Sequence, residues 1–352
     1  MKTRSHRAIT ISTLDLAIIG YGRLAREYYV PALARMNGVR IKAVADPSPE
    51  SRYSAKKGIP LAHVYQNYQE MFSQESFNAV LIASPPSSHL MAWLEARKNR
   101  VPAFVEKPFA LTSQMPDLPH LSDADAALMV NFNRRFWSPY QEVIRACRNG
   151  TIGVLRHIQF TFHTDVARWS TITKHRLSPD EGGVLHDLGS QAVDLMCQIA
   201  NCAPRRISGS FTSRRWNSDS VQLELEFAGG IQAHCDLSYD DQNREALIVT
   251  GSAGSLLLRE PNMTPHVAKN GRLSVTAYLE DYAWLGYRGL FPGHRMLRQT
   301  IMHSLSTFIE SLRTGSCFKP GYAEACENLR LLARAAGVAD IIPITASDGA
   351  HD

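Results

Sequence analysis

The chain has 352 residues, 44% of them hydrophobic and 20% charged, a balance that buries a core and a length that fits about two domains. Lys and Arg number 38 against 33 Asp and Glu, so the net charge of +5 is a mild excess without the clustered basic face that nucleic acid requires. No run reaches the ~18 apolar residues of a membrane span. The six cysteines contain no CxxC and read as free thiols, not as a zinc site or a disulfide framework.

Residues 1–13 carry Lys2, Arg4 and Arg7 but neither an apolar stretch nor a small-residue cleavage site. They read as a flexible lead-in, and the chain as cytoplasmic. Leu14–Ile19 is a short apolar run ending in glycine, the pattern of a buried parallel strand. A helix pattern follows from Arg23 to Met36, closed by Asn37-Gly38. Val39–Ala45, Phe77–Ala83, Val101–Val105 and Ala126–Val130 read as further strands, with a helix over His89–Asn99. Strand, helix and strand at this spacing imply βαβ units and a parallel, doubly wound sheet, assigned to residues 14–132.

Residues 133–345 have a different texture. Ser138-Pro139 opens a helix that should end at Asn149-Gly150. Arg156–His163 alternates like a strand, and Val221–Phe227 with Ile231–Tyr239 reads as a long hairpin. Ala246–Thr250 and Ser255–Arg259 flank a Gly251-to-Gly254 turn, and Met296–Leu312 and Tyr322–Ala339 are helical. This is an α+β domain with a mainly antiparallel open sheet. The pairs Arg134/Arg135, Arg205/Arg206 and Arg214/Arg215 read as solvated surface.

Gly20-Tyr21-Gly22-Arg23-Leu24-Ala25 matches G-x-G-x-x-G/A directly after the first strand and at the start of the first helix. Gly20 permits the tight turn, Gly22 lets a pyrophosphate approach the backbone, and Ala25 allows close helix–strand packing. The helix N-terminus offers free N–H groups to phosphates. Asp46 ends the second strand, 21 residues after Ala25, where a carboxylate accepts from ribose hydroxyls and repels a 2′-phosphate. NAD(H) is therefore favoured, with NADP(H) left open by Ser48 and Arg52. Lys107, in Glu106-Lys107-Pro108, follows the strand Val101–Val105, so it should stand at the crevice where such sheets bind ligands. There it can exchange the proton that accompanies hydride transfer. Taken alone, those three residues fit a surface lysine paired with Glu106 better.

Residues 78–108, together with Ile19-Gly20-Tyr21-Gly22 and Ala45-Asp46-Pro47, resemble the Gfo/Idh/MocA family of glucose–fructose oxidoreductase and inositol dehydrogenase-like proteins. The resemblance continues through residues 131–136 and 150–153, then 182–189 and 250–254. It implies a Rossmann domain followed by an α/β domain whose open sheet makes oligomer contacts, a dimer or tetramer. It also implies NAD(P)-dependent oxidation of sugars, inositols or their derivatives. The family lysine maps onto Lys107, and Ser84, Pro85 and His89 fall in the loop that flanks the cofactor; His89 fits a capped histidine at a helix start as well. With Glu106 and the fingerprint, these form the expected cofactor site. Asp187 matches the family's active-site aspartate.

Asp187, Gln191 and Asp194 are spaced i, i+4, i+7, so a regular helix would put them on one face. The family's usual catalytic histidine falls at Gln191, and a glutamine amide cannot shuttle a proton near neutral pH. His163, His175 and His186 are candidate replacements. Arg168, Trp169, Lys174 and Arg176 suit contacts to substrate or a solvated loop. The expected site is thus Lys107, Asp187 and Gln191 for chemistry and substrate, with Arg168 and Trp169 as further contacts and no metal. The expected substrate is a polyol-like small molecule. Two alternatives stand beside this reading: a dinucleotide-binding regulator of the same fold, and a redox-neutral enzyme with tightly bound NAD.

Overall fold

The computed structural model describes residues 13–168, 174–177, 182–239, 242–259, 266–269, 272–275 and 292–337. Six strands make the first sheet: β1 (Leu14–Ile19), β2 (Val39–Ala45), β3 (His63–Tyr65), β4 (Ala79–Ile82), β5 (Ala103–Glu106) and β6 (Leu128–Asn131). Their order is β3-β2-β1-β4-β5-β6, all parallel. β1 and β4 are near-continuous apolar runs because both faces are covered by helices. The strand order reverses between β1 and β4, which opens the ligand crevice at their carboxyl ends.

The first helix is shorter than the sequence pattern implies. Ala25–Tyr29 forms a π turn and Val30–Leu33 an α turn, and the helix stops before Met36. Pro31 has no N–H for an α ladder, and the widened turn precedes it, with the Val30 N–H bonded to the Ala25 carbonyl. The helix Pro49–Gly58, capped by Ser48, and the short β3 carry little hydrophobic periodicity, and the sequence patterns do not resolve them.

The second sheet contains β7 (Leu155–His163), β8 (Arg206–Thr212), β9 (Ser220–Glu226), β10 (Gln232–Ser238), β11 (Arg244–Gly251), β12 (Gly254–Arg259), β13 (His266–Lys269) and β14 (Arg272–Val275). Its order is β14-β13-β12-β11-β7-β10-β9-β8. Only the β7–β10 pair is parallel; the rest are antiparallel. One face presents Ile158, Phe160, Leu223, Cys235, Leu237 and Leu247 to the helices Ser138–Arg148 and Ser190–Ala200. The other face is polar: Glu224, His234 and Gln159 are lateral neighbours, and His234 Nδ1 lies 2.7 Å from Glu224 Oε1.

The chain then returns to the first sheet. Ile301, Leu305, Phe308 and Leu312 of the helix Pro292–Thr314 pack into the core of the parallel sheet. The helix Tyr322–Ala335 wedges between the halves: Tyr322 and Leu329 face the first core, Leu331 and Leu332 the second. A single cut near residue 133 therefore leaves the Pro292–Thr314 helix apart from the sheet it covers.

Arg134 and Arg135, read from sequence as solvated surface, are drawn into this junction, Arg134 buried and Arg135 half-buried. Arg134 is 2% exposed, pairs with Glu245 and lies 3.9 Å over the Phe162 ring. Arg135 holds Asp194 with two hydrogen bonds and Glu324 at 2.9 Å. Asp194 therefore does not share the site of Asp187. The π turn Leu185–Gly189 precedes the α-helix Ser190–Ala200 and breaks the regular spacing that would align them. Arg205, Arg206, Arg214 and Arg215 are exposed, as surface residues should be.

Candidate active site

The fingerprint turn sits at the switch point of the parallel sheet. Gly20 has φ +89°, and a Cβ there would meet the Ser84 backbone nitrogen at 2.6 Å. Its glycine is required by the protein itself. Gly22 is different: a Cβ there would have no heavy atom within 4 Å, and its φ is not left-handed. Nothing among the described residues demands glycine at this position, whereas a pyrophosphate lying against the helix start does. The residues present therefore fit a dinucleotide.

Asp46 is 8% exposed, and its carboxylate accepts from the Tyr21 N–H at 2.6 Å and the Ser48 N–H at 2.8 Å. A carboxylate has about four lone-pair directions, so the two ties fix its orientation and leave capacity for hydroxyl donors. Tyr21 is buried against the helix Pro49–Gly58, Leu24 is half-buried and Arg23 is exposed beside the fingerprint. Ser84 and Pro85 line the other lip, with Ser84 Oγ accepting from Ser88 Oγ at 2.7 Å.

Two residues of the expected cofactor site, His89 and Glu106, are buried and bonded within the chain. His89 is 1% exposed, and its ring nitrogens lie 2.7 Å from the carbonyls of Pro108 and Ser84. Burial pushes its pKa down, against carbonyls that favour the protonated ring. It ties the loop after β4 to the segment after β5 and has no nitrogen left for a ligand. Glu106 is also buried; it accepts from Tyr29 Oη, from Asn131 Nδ2 at 2.8 Å and from the Lys107 N–H at 3.2 Å. This network anchors the end of β5 and with it the base of Lys107.

Lys107 is joined to its neighbour by a cis Lys107-Pro108 bond. Its ammonium reaches the second half of the chain, where it donates to the Asp187 carboxylate and, at 3.2 Å, to the Asp187 carbonyl. Asp187 Oδ2 also accepts from Arg176 Nε at 3.0 Å and from Tyr239 Oη at 2.7 Å. Burial would raise the Asp187 carboxyl, but the charges of Lys107 and Arg176 outweigh it and hold it well below the usual carboxylate range. Burial and the Asp187 charge push the Tyr239 hydroxyl far above its ordinary value, so it stays a donor.

Gln191 is 7% exposed, and its Oε1 has no hydrogen-bond partner among the described residues. His186 faces away from Asp187: Nδ1 lies 2.8 Å from the Gly182 carbonyl and Nε2 accepts from the Thr112 N–H at 3.1 Å. Burial pushes its pKa down, so it docks the helix as a neutral ring. His163 Nε2 lies 3.0 Å from Asp236 Oδ2. Arg168 pairs with Asp165 at 3.0 Å and its side chain is 75% exposed, outside the Lys107–Asp187 cluster. Trp169 and the His175 side chain lie outside the described residues. Among the described residues no group of His, Cys, Asp and Glu is placed to hold a metal ion, and no helix is long and apolar enough to cross a membrane. All six cysteines are free.

Sequence patterns single out neither Tyr239 nor Arg176 as a partner of Asp187. Tyr239 ends a hairpin and Arg176 sits in a loop-rich stretch, and only the tertiary fold brings them 52 and 11 residues along the chain to one carboxylate.

A parallel sheet with a glycine fingerprint at its switch point, and a lysine after its β5 paired with an aspartate from the second half of the chain, defines a dinucleotide-dependent oxidoreductase. Residues 14–124 match the NAD-binding Rossmann-fold model of the GFO/IDH/MocA oxidoreductase family, and residues 140–257 match a GFO/IDH/MocA C-terminal domain. The chain belongs to this family, and it is an NAD(P)-dependent oxidoreductase with NAD(H) as its cofactor. It is similar to Oxidoreductase P35 of Formosa agariphila, 23% identical over 280 residues that cover 76% of this chain and 86% of that one. It is 25% identical to the D-apiose dehydrogenase of Paraburkholderia graminis over 285 residues, 78% of this chain and 75% of that one. In fold it resembles an oxidoreductase from Agrobacterium radiobacter, solved in complex with NAD+, L-tartaric acid and magnesium. The TM-score is 0.79 at 21% identity, covering 93% of this chain and 96% of that one.

Proposed function

We propose that this protein interconverts a secondary alcohol and a ketone on a sugar, inositol or related polyol, with Lys107 as the acid–base group. The observation that carries this reading is the Lys107 ammonium, anchored at the carboxyl end of β5 and aimed onto Asp187. The nicotinamide supplies or accepts the hydride. Gly20, Gly22 and the helix start hold the phosphates, Asp46 takes the ribose hydroxyls and favours NAD(H), and Ser84 and Pro85 flank the ring. NADP(H) is the second choice, with Arg52 at hand to meet a phosphate.

On reduction the Lys107 ammonium gives a proton to the forming alcohol oxygen, and on oxidation Lys107, as the free amine, receives the hydroxyl proton. Asp187 orients Lys107 and is itself held by Arg176 and Tyr239. Gln191, which cannot titrate, orients substrate through hydrogen bonds. The intact Glu106–Lys107–Asp187 chain supports catalysis over a purely regulatory role. A panel of inositols, aldoses, amino sugars and sugar acids, read at the NADH absorbance band, tests the reading. Lys107→Ala should lower turnover by ~10²–10⁴-fold and Gln191→Ala by about 5–30-fold. Near-wild-type turnover in Lys107→Ala would overturn the assignment.

The polar open face of the second sheet supports a homo-oligomer, dimer or tetramer, in which another copy covers it. Sedimentation showing only monomer at micromolar concentration would refute that part.

A further inference from the structure

We propose that His186 is a positioning residue that holds Asp187 in register with Lys107 by accepting the Thr112 N–H across the junction of the two halves, and that protonation of its ring opens this lock. The inference rests on the reading of Lys107 above and deepens it, since that reading gives His186 no part.

The 3-10 turn Thr112–Asp117 follows Leu111, whose side chain carries no oxygen to cap it. The first N–H groups of a helical turn have no partner inside it, so the Thr112 N–H needs an acceptor from elsewhere. It finds His186 Nε2 at 3.1 Å, on a ring from the second half of the chain. An N–H can only donate, so Nε2 is the bare nitrogen and Nδ1 carries the hydrogen, which it gives to the Gly182 carbonyl at 2.8 Å. His186 is 6% exposed, and both ring nitrogens are spent inside the protein. Two consecutive residues of the π turn Leu185–Gly189 thereby grip one segment of the first half at two points. Asp187 takes the Lys107 ammonium, and His186 takes the N–H five residues further on. Between those points Phe109, Ala110 and Leu111 are buried and the Pro108 carbonyl is held by His89, so the segment keeps a fixed spacing. Without the second grip, the register rests on the tip of the flexible Lys107 stem.

A protonated ring cannot keep the Thr112 contact. Imidazolium donates from both nitrogens, so Nε2–H would face the Thr112 N–H, donor against donor. Burial disfavours the charged ring, with the Gly182 carbonyl opposing that shift. Phe109–Gln114 bring no titratable side chain to it, and the helix Tyr322–Ala335 meets the end of this turn with Asn328 and Leu332. Asp187, next in sequence, is turned to Lys107, Arg176 and Tyr239. The lock is therefore complete above the ordinary histidine value, about 6.5, and is lost as pH falls below it. The His89 pKa is also lowered, but both of its nitrogens face carbonyls, so a protonated ring keeps its contacts.

Pulsed acetylation of the full chain with acetic anhydride, read by peptide mass spectrometry as the ratio of Lys107 to Lys56 labelling, tests the lock without a substrate. Lys56 is exposed and serves as the internal standard. At about pH 8, His186→Leu should raise the ratio about 2–12-fold over wild type, the opening that one net hydrogen bond suppresses. His186→Gln, whose amide oxygen accepts an N–H but cannot titrate, should match wild type. Between about pH 8 and pH 5 the wild-type ratio should climb by a similar factor, while the His186→Gln ratio stays flat. An unchanged ratio in His186→Leu, or a raised one in His186→Gln at pH 8, would overturn the lock. A wild-type ratio that does not climb in acid, or that climbs together with His186→Gln, would overturn its opening by protonation. If His186→Leu gives no cooperative melt, the pH comparison of the other two proteins decides. Near-wild-type turnover in Lys107→Ala would overturn the acid–base reading instead, and the labelling ratios are read independently of it.

Discussion

Replacing Asp187 by Asn should destabilise the protein more than replacing Lys107 by Met, even though Lys107 is assigned the larger part in the chemistry. Asp187 is one carboxylate serving two cations, Lys107 and Arg176, together with the Tyr239 hydroxyl. Asp187→Asn removes the carboxylate that pairs with both. Breaking a buried ion pair from one side typically costs about 3–5 kcal/mol, and the 13% exposure of both Lys107 and Asp187 side chains argues for the lower end, about 3 kcal/mol. Lys107→Met leaves Asp187 with Arg176 and Tyr239, so no charge is stranded and the loss should be about 1 kcal/mol, one net hydrogen bond. Thermal and urea melts at pH 7 measure the order directly, with Asp187→Asn several degrees below Lys107→Met in Tm. Turnover should run the other way or tie, while NADH affinity stays near wild type in both, because the phosphates and ribose are held elsewhere. If Lys107→Met proves the less stable of the two, Asp187 is not the shared counter-ion and the site's electrostatics have been misjudged.

The two fingerprint glycines should fail differently. Gly22→Val should fold with a near-normal Tm and lose NADH binding, since its Cβ meets no heavy atom within 4 Å among the described residues, whereas Gly20→Val should misfold against Ser84; equal NADH affinity in a folded Gly22→Val removes the dinucleotide-site assignment. Asp46→Ala should relax discrimination against NADP(H) in fluorescence titrations and also cost about 1–2 kcal/mol, because the Tyr21 and Ser48 N–H groups lose their acceptor; a wild type that prefers NADP(H) contradicts the role given to Asp46. The Asp187 carboxyl is held below its ordinary value in the folded state, so its stabilisation is complete above the carboxylate range and is lost as pH falls through it. Wild type should therefore lose more stability than Asp187→Asn between about pH 5 and pH 3; parallel losses in paired melts would show that Asp187 is not held low.

Most of the parallel half could be read from sequence because local patterns decide it. Apolar runs such as Leu14–Ile19 and Ala79–Ile82 are buried on both faces and need no partner to be recognised, and Gly20 and Gly22 carry their roles in a contiguous turn. Lys107 and Asp187 were visible through the Glu106-Lys107-Pro108 and Gly182-to-Gly189 motifs. What those motifs could not supply was who meets whom. His89 has the same sequence signature whether it touches a cofactor or spans two carbonyls, and only the packing of the β4 and β5 loops makes it a strut. Arg134 and Arg135 look like surface charge until Glu245 and Asp194, 111 and 59 residues away, are folded against them. A regular helical period puts Asp194 on the face of Asp187, but the π turn at Leu185–Gly189 and the pull of Arg135 separate them. Secondary structure follows from short-range periodicity, and so sequence determines it; charge pairing and burial follow from long-range packing, and so only the tertiary structure decides that Arg135 meets Asp194 and that Tyr239 and Arg176 meet Asp187.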